Sequence, residues 1–251
     1  MAKIEILGVK IDDLSLQEVL AQTDHFLNSP DKHYIVTPNP EFLVAAQKDA
    51  NFAEILNYAD IAVADGIGLI YAAKFLGKKL QRIAGTDLMF YICELAEQKN
   101  YPIYLLGGEE GVAEQTVEVI KQNFPNLRIA GSSSGGEISF DGKTSTENST
   151  IAKINAAQPK IIFVALGQVK QEKWIFRHLD QLSSVKLAMG VGGAFSYISG
   201  NNSRAPMVRR NLGLEWLHRL ITEPWRWKRI LNAVIIFPLL ILKEKIFIHK
   251  P

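Results

Sequence analysis

Short apolar runs alternate with longer amphipathic stretches along most of the chain. Six runs have the length of buried strands and end in small or polar residues: HYIVTPN, DIAVADG, PIYLLGG, LRIAGSS, KIIFVALG and KLAMGVGG. Four other stretches carry apolar residues at helical spacing: SLQEVLAQTDHFL, TDLMFYICELAEQ, GVAEQTVEVIKQNF and NSTIAKINAA. This alternation predicts an α/β fold, with a Rossmann-like, mostly parallel sheet and helices on both faces.

The alternation stops near residue 200. The stretches VRRNLGLEWLHRLITEP and WRWKRILNAVIIFPLLILKEKIF predict helices that are separated near Pro224 and bent or broken near Pro238. We therefore expect two parts, an α/β core over residues 1–200 and a helical appendage over residues 201–251.

The appendage also differs from the core in charge. The whole chain of 251 residues has a formal charge of +2, but residues 201–251 hold ten basic and three acidic residues. A basic end on an acidic body predicts a surface that meets anions, such as phosphorylated substrates, acidic lipids or nucleic acid. Nucleic acid is the weakest of these three, because the helix-turn-helix and RNA-binding signatures are missing from the sequence.

Several classes of protein are disfavoured by what the sequence lacks. The single cysteine, Cys93, excludes a disulfide framework and a cysteine zinc site, and its helical apolar surroundings predict an inert core thiol. The first residues have no apolar stretch typical of a secretory signal. Complete GxGxxG, GxxxxGK[ST], HExxH and Asp-x-Asp motifs are also missing. We therefore expect no metal site and no cofactor, and arginine is the natural group to stabilise a diphosphate.

Ligands of open α/β sheets bind at the carboxyl ends of the strands, so the strand endings are the places to search. In TPNPEF, Thr37 and Asn39 each precede a proline, which forces extended geometry on them and stops the sheet, and the alternative to a binding role is an N-cap of the next helix. In ADG, Asp65 is placed either to act as a general base or to cap a helix. Neither short motif decides between its two roles.

Further candidates for substrate binding follow three other strands. In ALGQVKQEKWI, polar side chains crowd the start of a helix, whose free N–H groups suit a phosphate or a sugar. In the same stretch Gly167 allows the backbone to approach a ligand, and LGG and GVGG are two further strand endings at which ligands are expected. The candidates from these loops are Gly107, Gly108, Gln168, Gln171, Glu172 and Gly192.

Taken together, the blocks resemble the WecG/TagA/CpsF family of glycosyltransferases. The resemblance runs in order through TPNPEF, ADGIG, RIAGTDL, YLLGGEEGVAE, ALGQVKQEKWI, GVGGAFSYISG, RAP and GLEWLHRLITEPWRWKR. It is closest to the wall teichoic acid branch, and it implies an inverting transfer of N-acetylmannosamine from UDP to the C4 hydroxyl of undecaprenyl-diphosphate-linked N-acetylglucosamine. Many relatives have proline where this chain has Val169, so we expect a looser loop at that position.

The resemblance also implies roles for individual residues. Asp65 falls on the position of the proposed base, and Thr37 and Asn39 fall beside the acceptor and donor sugars. Gln168 matches the glutamine of the LGxxKQE block. The arginines that match the family and are expected to stabilise the departing UDP are Arg219, Arg226 and Arg229, with Arg82 as a weaker fourth.

The apolar run at 230–242 predicts contact with a membrane surface. As a helix it spans about 20 Å, which is shorter than the ~30 Å hydrocarbon core. Trp225 and Trp227 precede it and basic residues bracket it, which favours an element that rests on the anionic cytoplasmic leaflet. We therefore expect a cytoplasmic protein attached peripherally to the inner face of the cell membrane. The alternative is that the run packs on the α/β body or on a partner in a homo-oligomer.

Two other functions stay open at this point. The same fold could use another donor, such as UDP-N-acetylmannosaminuronic acid or UDP-glucose, because donor choice depends on pocket contacts that no motif specifies. A non-catalytic nucleotide binder at the membrane is the second alternative. Asp65 together with the arginine set favours an enzyme, since a binder needs no base.

Overall fold

A parallel sheet of six strands forms the centre of the protein. The computed structural model describes residues 3–136, 138–143, 146–202, 205–206 and 215–248. The sheet has the order β4-β3-β8-β7-β5-β6, and β1 and β2 form a separate antiparallel hairpin. The strands are β1 (Lys3–Ile6), β2 (Val9–Asp12), β3 (His33–Val36), β4 (Ile61–Ala62), β5 (Ile103–Gly107), β6 (Ile129–Ser133), β7 (Ile161–Ala165) and β8 (Leu187–Gly190). The predicted α/β fold is confirmed.

Helices cover both faces of this sheet. Along β7, Ile161 and Phe163 pack into one hydrophobic cluster, whereas Ile162 and Val164 pack into the other. This alternation is the two-residue period of a strand that is buried on both sides. The helices of the core are α1 (Leu16–Asn28), α2 (Pro40–Ala46), α3 (Ala50–Tyr58), α4 (Ile67–Phe75), α5 (Gly85–Gln98), α6 (Val112–Asn123), α7 (Glu147–Ala157), α8 (Lys170–His178) and α9 (Ala194–Ile198).

The pairing of β3 with β4 brings two of the predicted site loops together. Val36 lies opposite Ala62 in the parallel register, so the TPN and ADG loops leave the sheet side by side. The pairing continues past the strands, because the Asp65 N–H donates to the Pro38 carbonyl at 2.8 Å. Arg82 joins the same edge through a parallel bridge to Ala64. One end of the sheet therefore gathers residues from three chain segments.

The C-terminal helices pack against the α/β body. They are α10 (Glu215–Thr222), a 3₁₀ turn (Pro224–Arg226), α11 (Trp227–Leu231), a π-helical turn (Asn232–Ile236) and α12 (Phe237–Ile248). Pro238 explains the π turn, because proline lacks an N–H and its ring clashes with the carbonyl of the preceding turn. Phe237 and Ile241 are buried in the cluster that also holds α2, α3 and α8. The boundary expected near residue 200 stays a prediction, since residues 203–204 and 207–214 lie outside the described residues.

Gly107 at the end of β5 offers a test of how tightly this sheet is packed. Its φ is +116°, and a Cβ there would lie 2.5 Å from the carbonyl carbon and oxygen of Ala165. We expect Gly107→Ala to lower the free energy of unfolding by about 2–3 kcal/mol, through backbone strain and this clash. Urea unfolding measures the change. Gly111→Ala is the control, because Gly111 has φ +83° and open space around it, so an equal loss there would contradict the clash.

Candidate active site

Asp65, Asn39 and Arg82 line one cleft at the carboxyl end of β3 and β4. The cleft has a volume of about 300 Å³. The residues that α4 and the C-terminal helices contribute to its lining are mainly apolar. The residues that line it are Asn39, Pro40, Glu41, Asp65, Gly66, Ile67, Gly68, Tyr71, Arg82, Trp216, Ile230, Ala233 and Val234. The structure thus brings together three of the residues predicted for the site.

Asn39 both caps a helix and faces the cleft. Its Oδ1 accepts a hydrogen bond from the Phe42 N–H at 3.1 Å, and Pro40 occupies the first position of α2. This is a typical N-cap, so the structural alternative considered for Asn39 is correct as far as its side-chain oxygen is concerned. The cap fixes the side chain at the cleft wall. Gly68 allows α4 to pack closely against the start of α2, because a Cβ there would lie 2.7 Å from the Pro40 Cγ.

Thr37 lies beneath the start of α5 and is mostly buried. A Cβ on Gly85 would lie 2.8 Å from the Thr37 Oγ1, so the hydroxyl lies directly against the helix N-terminus. Only 8% of the residue is exposed, and it is not among the residues that line the described cleft. Thr37 therefore packs against the first residue of α5, and its contact with a sugar stays a prediction.

A second cleft lies beside the first and shares Glu41 with it. Its volume is about 720 Å³. The walls come mainly from α2, α3, the loop after β7 and α11. The residues that line it are Glu41, Val44, Ala45, Lys48, Asp49, Ala50, Phe140, Gln168, Val169, Arg229 and Asn232. Of the described residues, Glu41 is thus the one common to both clefts.

Arg229 connects the C-terminal helix to this double cleft. Its Nε donates to the Glu41 Oε2 at 2.7 Å, and its Nη2 donates to the Gln168 Oε1 at 2.8 Å. We call these three side chains the Glu41–Arg229–Gln168 clasp. The clasp brings together two residues that the sequence predicted for the site and one, Glu41, that it did not.

The other two predicted arginines differ from Arg229 in their surroundings. Arg226 is the last residue of the 3₁₀ turn, and it forms an ion pair with Glu223, which is buried and immediately precedes that turn. The side chain of Arg219 lies outside the described residues, although its backbone belongs to α10. In the part of the chain that the structure describes, Arg229 is the predicted C-terminal arginine that lines a cleft.

Gln171 and Glu172 form a buried strut behind the loop that carries Gln168. The Gln171 Nε2 donates to the Glu172 Oε1 at 2.6 Å, and the Gln171 Oε1 accepts from the Gly192 N–H at 2.9 Å. The Glu172 Oε2 accepts from the Val169 N–H at 2.8 Å. Both side chains are almost fully buried, so the structure places them under the loops and outside the two described clefts. Their predicted contact with substrate stays a prediction, and their visible role is to fix the loops.

The strut holds the backbone of the loop at Val169, through the bond from its N–H to Glu172. Val169 is buried and has φ +72°, a left-handed conformation that is strained for a β-branched residue. Proline could not adopt it, because its ring fixes φ near about −65°. The Val169 N–H is held by a buried carboxylate, and the expectation that this loop is looser than in relatives with proline stays a prediction.

Burial raises the pKa of Glu172 from 4.5 to about 7. The folded protein therefore binds this proton more strongly than the unfolded chain between those two values, so its stability falls as pH rises through that window. We expect urea unfolding to show a lower free energy at pH 7.5 than at pH 5. Glu172→Gln cannot ionise, so the difference between the variant and the wild type isolates this group. An identical slope in both proteins would contradict the assignment.

The three glycines predicted for the site also lie at the carboxyl end of the sheet, but at β5 and β8 instead of at β3 and β4. Gly107 ends β5 and Gly108 follows it, and the Gly108 N–H donates to the Ala165 carbonyl at 3.0 Å. The Gly192 N–H is bonded to Gln171. These glycines are not among the residues that line the two described clefts. They permit close packing between neighbouring loops, and ligand contact through them stays a prediction.

Sequence reasoning missed several side chains that line the clefts, among them Glu41, Tyr71 and Trp216. Glu41 was not among the residues that the sequence predicted for the site. Tyr71 and Trp216 belong to helices whose apolar faces could not be assigned to a partner. A signal for Glu41 did exist, because an acid two residues after a strand-end asparagine lies at the carboxyl edge of the sheet.

Comparison with known proteins assigns the chain to a family. The sequence model of the glycosyl transferase WecG/TagA/CpsF family matches residues 4–251. Three similar proteins are each named N-acetylglucosaminyldiphosphoundecaprenol N-acetyl-beta-D-mannosaminyltransferase. The one from Bacillus spizizenii strain W23 is 39% identical over 202 residues, covering 79% of this chain and 75% of that protein.

The other two cover more of the chain. The protein from Bacillus subtilis strain 168 is 36% identical over 241 residues, covering 90% of each sequence. The protein from Staphylococcus aureus strain MRSA252 is 34% identical over 255 residues, covering 99% of this chain and 96% of that protein. The match of the family extends over both the sheet edge with Asp65 and the helix with Arg229. This chain therefore belongs to the WecG/TagA/CpsF family of glycosyl transferases.

Proposed function

We propose that this enzyme transfers N-acetylmannosamine from UDP-N-acetylmannosamine to undecaprenyl-diphosphate-linked N-acetylglucosamine. The names of the relatives support the acceptor, the transferred sugar and the β configuration of the product. The observation that carries the proposal is the double cleft. A carboxylate, Asp65, lines one half, and an arginine, Arg229, lines the other.

On the acceptor side, Asp65 acts as the general base. It takes the proton of the acceptor hydroxyl while the oxygen attacks the anomeric carbon of the donor sugar. The new carbon–oxygen bond forms as the bond from the anomeric carbon to the phosphate oxygen breaks, and UDP leaves with that electron pair. A single displacement of this kind inverts the anomeric centre. A positioned base contributes roughly 10²–10⁴-fold to the rate.

On the donor side, the second cleft suits a diphosphate. Both of its acids are matched by cations, because Glu41 pairs with Arg229 and Asp49 pairs with Lys173 at 2.6 Å. Lys48 adds a further positive charge to the lining. A diphosphate therefore meets no uncompensated carboxylate among the described residues of this wall. Arginine and lysine groups that face the β-phosphate stabilise the charge that develops as UDP departs.

The C-terminal helices provide a surface for the membrane that carries the acceptor. No helix in the described ranges is long and apolar enough to cross a bilayer. The helices nevertheless expose many large apolar side chains next to basic residues, as an interfacial element does. The exposed side chains are Trp216, Leu217, Ile221, Trp225, Trp227, Leu231, Val234, Ile235, Leu239, Leu242 and Ile246. We place this face on the anionic inner leaflet.

Charge on the exposed apolar face should weaken this docking. We expect Leu239→Glu to lower the fraction of protein that floats with phosphatidylglycerol vesicles about tenfold, because it removes apolar contact and adds repulsion from anionic lipid. Tyr91→Glu is the matched control, since Tyr91 is also exposed but belongs to α5 on the other face of the sheet. Equal flotation of both variants would rule out a specific docking face.

The function itself is tested by release of UDP. The assay compares UDP-N-acetylmannosamine with and without an N-acetylglucosamine acceptor that is linked to a polyprenyl diphosphate. Release that depends on the acceptor supports the proposal. UDP-N-acetylmannosaminuronic acid and UDP-glucose are assayed in parallel, and turnover with either of these alone would replace the donor. No turnover with any of them, in the presence of UDP binding, would favour a non-catalytic nucleotide binder.

A further inference from the structure

We propose that Glu41 is a positioning residue for the donor diphosphate and acts through Arg229. This inference rests on the proposed function, because it deepens the role of the second cleft. Glu41 belongs to the first turn of α2, immediately after the strand-end loop that carries Asn39. It is the described residue that lines both clefts, so it stands at the boundary between the proposed acceptor and donor sides.

The geometry of the clasp shows what Glu41 does to the guanidinium. A guanidinium is planar and has five N–H donors in fixed directions. The bonds to Glu41 and Gln168 use the Nε proton and one Nη2 proton of Arg229. The Nη1 group and the second Nη2 proton meet no hydrogen-bond acceptor among the described residues. The two bonds therefore fix the plane and leave one edge of the fork for the oxygens of a diphosphate.

The exposure of the clasp indicates that Glu41 orients the Arg229 side chain more than it stabilises the fold. The side chain of Arg229 is 42% exposed and that of Glu41 is 19% exposed. An ion pair this close to solvent contributes little to the free energy of unfolding. Fixing a long side chain before the ligand arrives does improve binding, because less conformational entropy of that side chain is then lost when the ligand binds. Glu41 is thus placed to prepare the arginine for the donor.

The anchoring of Gln168 completes the argument. Its loop is held from below by the Glu172 bond to the Val169 N–H and by the Gln171 bond to the Gly192 N–H. The Arg229 guanidinium therefore lies between one acceptor on α2 and another on a fixed loop after β7. The C-terminal helix brings Arg229 within hydrogen-bond distance of both acceptors. Removing Glu41 takes away one of the two fixed points.

A double-mutant cycle on the full-length protein tests this role. The variants are Glu41→Ala, Arg229→Ala and the combination, and the readouts are the Kd for UDP by titration and the KM and kcat for the donor. We expect Glu41→Ala to weaken UDP binding about tenfold and Arg229→Ala about 100-fold, because each removes hydrogen bonds to or from a charged group. The double variant should bind UDP as weakly as Arg229→Ala alone, since Glu41 acts only through the arginine.

Two further variants separate orientation from folding. Glu41→Gln keeps an acceptor oxygen at the same reach, so we expect it to bind UDP within about threefold of the wild type. Glu54→Ala is the control, because Glu54 is an exposed acid on α3 that lines neither described cleft, and its Kd for UDP should not change. Thermal unfolding of every variant confirms that the fold persists.

The outcomes are distinct for the two proposals. Additive losses in the double variant, or a Glu41→Gln variant as weak as Glu41→Ala, would overturn the positioning role. A wild-type protein that does not bind UDP overturns both proposals. If the wild type binds UDP but does not use UDP-N-acetylmannosamine, only the donor assignment fails, and the binding cycle still decides the role of Glu41.

Discussion

Asp65→Asn is expected to fold, to bind UDP with unchanged affinity and to lose turnover by about 10²–10⁴-fold. The amide occupies nearly the same volume as the carboxylate, so the cleft keeps its shape. It cannot accept the proton of the acceptor hydroxyl at neutral pH, and the attacking oxygen then stays a weak nucleophile. The measurement is kcat from acceptor-dependent release of UDP, with the Kd for UDP determined in parallel.

The position of Asp65 explains why binding should survive. The residue lines the first cleft, the proposed acceptor side, whereas Arg229 lines the second cleft, the proposed donor side. Its backbone is fixed independently of the side chain, through the hydrogen bond from its N–H to the Pro38 carbonyl. Loss of the negative charge therefore affects the proton transfer and leaves the loop in place.

A carboxylate at the opposite end of the sheet provides the control for this experiment. Asp31 is exposed and precedes β3, so it lies at the amino end of the strand whose carboxyl end carries the site. Asp31→Asn should keep wild-type turnover. If Asp65→Asn also retains near-normal kcat, Asp65 is not the base, and another group has to accept the proton.

The sequence predicted the sheet and several of the residues that line the first cleft. The strand endings after Val36 and Ala62 were assigned from apolar runs that stop at small or polar residues. Because parallel strands present their carboxyl ends at one end of the sheet, Asn39 and Asp65 were expected at that end, and both line the first cleft. The local pattern contains this information, since β3 and β4 are adjacent in the sheet as well as close in the chain.

The clasp could not be predicted, because it depends on packing between distant parts of the chain. Glu41 and Arg229 are separated by 188 residues, and Gln168 and Arg229 by 61. Their meeting requires the helix after Trp227 to lie along α2, which follows from burial of Phe237 and Ile241 against the body. Apolar periodicity shows that a helix has a face to bury but does not show which surface receives it.

Burial was the second property that the sequence did not reveal. Gln171 and Glu172 are polar residues at the start of a helix, a pattern that is equally typical of a ligand site and of an internal strut. Gly190 leaves room for both side chains in the fold, because a Cβ there would lie 2.6 Å from the Glu172 Oε1 and 2.7 Å from the Gln171 Nε2. A glycine on a neighbouring strand thus provides the space that buries both side chains.

The structure also separates the two faces of the C-terminal apolar run. The sequence left two alternatives, packing on the body or docking on a membrane. Phe237 and Ile241 are buried against the core, whereas Leu239 and Leu242 are exposed on the same helix. One face of the run therefore fixes the helix that carries Arg229, and the opposite face is free to meet lipid. Docking on a membrane through that face stays a proposal.

Arg229→Ala is expected to lower kcat for UDP release by about 10²–10³-fold, the loss typical of removing one preorganised donor from a developing negative charge. Arg229→Lys should recover only part of this rate, because an ammonium keeps the charge but loses the planar fork that reaches Glu41 and Gln168 together and that we propose to bind the diphosphate. Lys228→Ala is the control, since Lys228 is the adjacent exposed cation and lines neither described cleft. Full activity in Arg229→Lys would mean that charge alone suffices, and equal losses in Arg229→Ala and Lys228→Ala would point to the general basicity of the helix instead of the clasp.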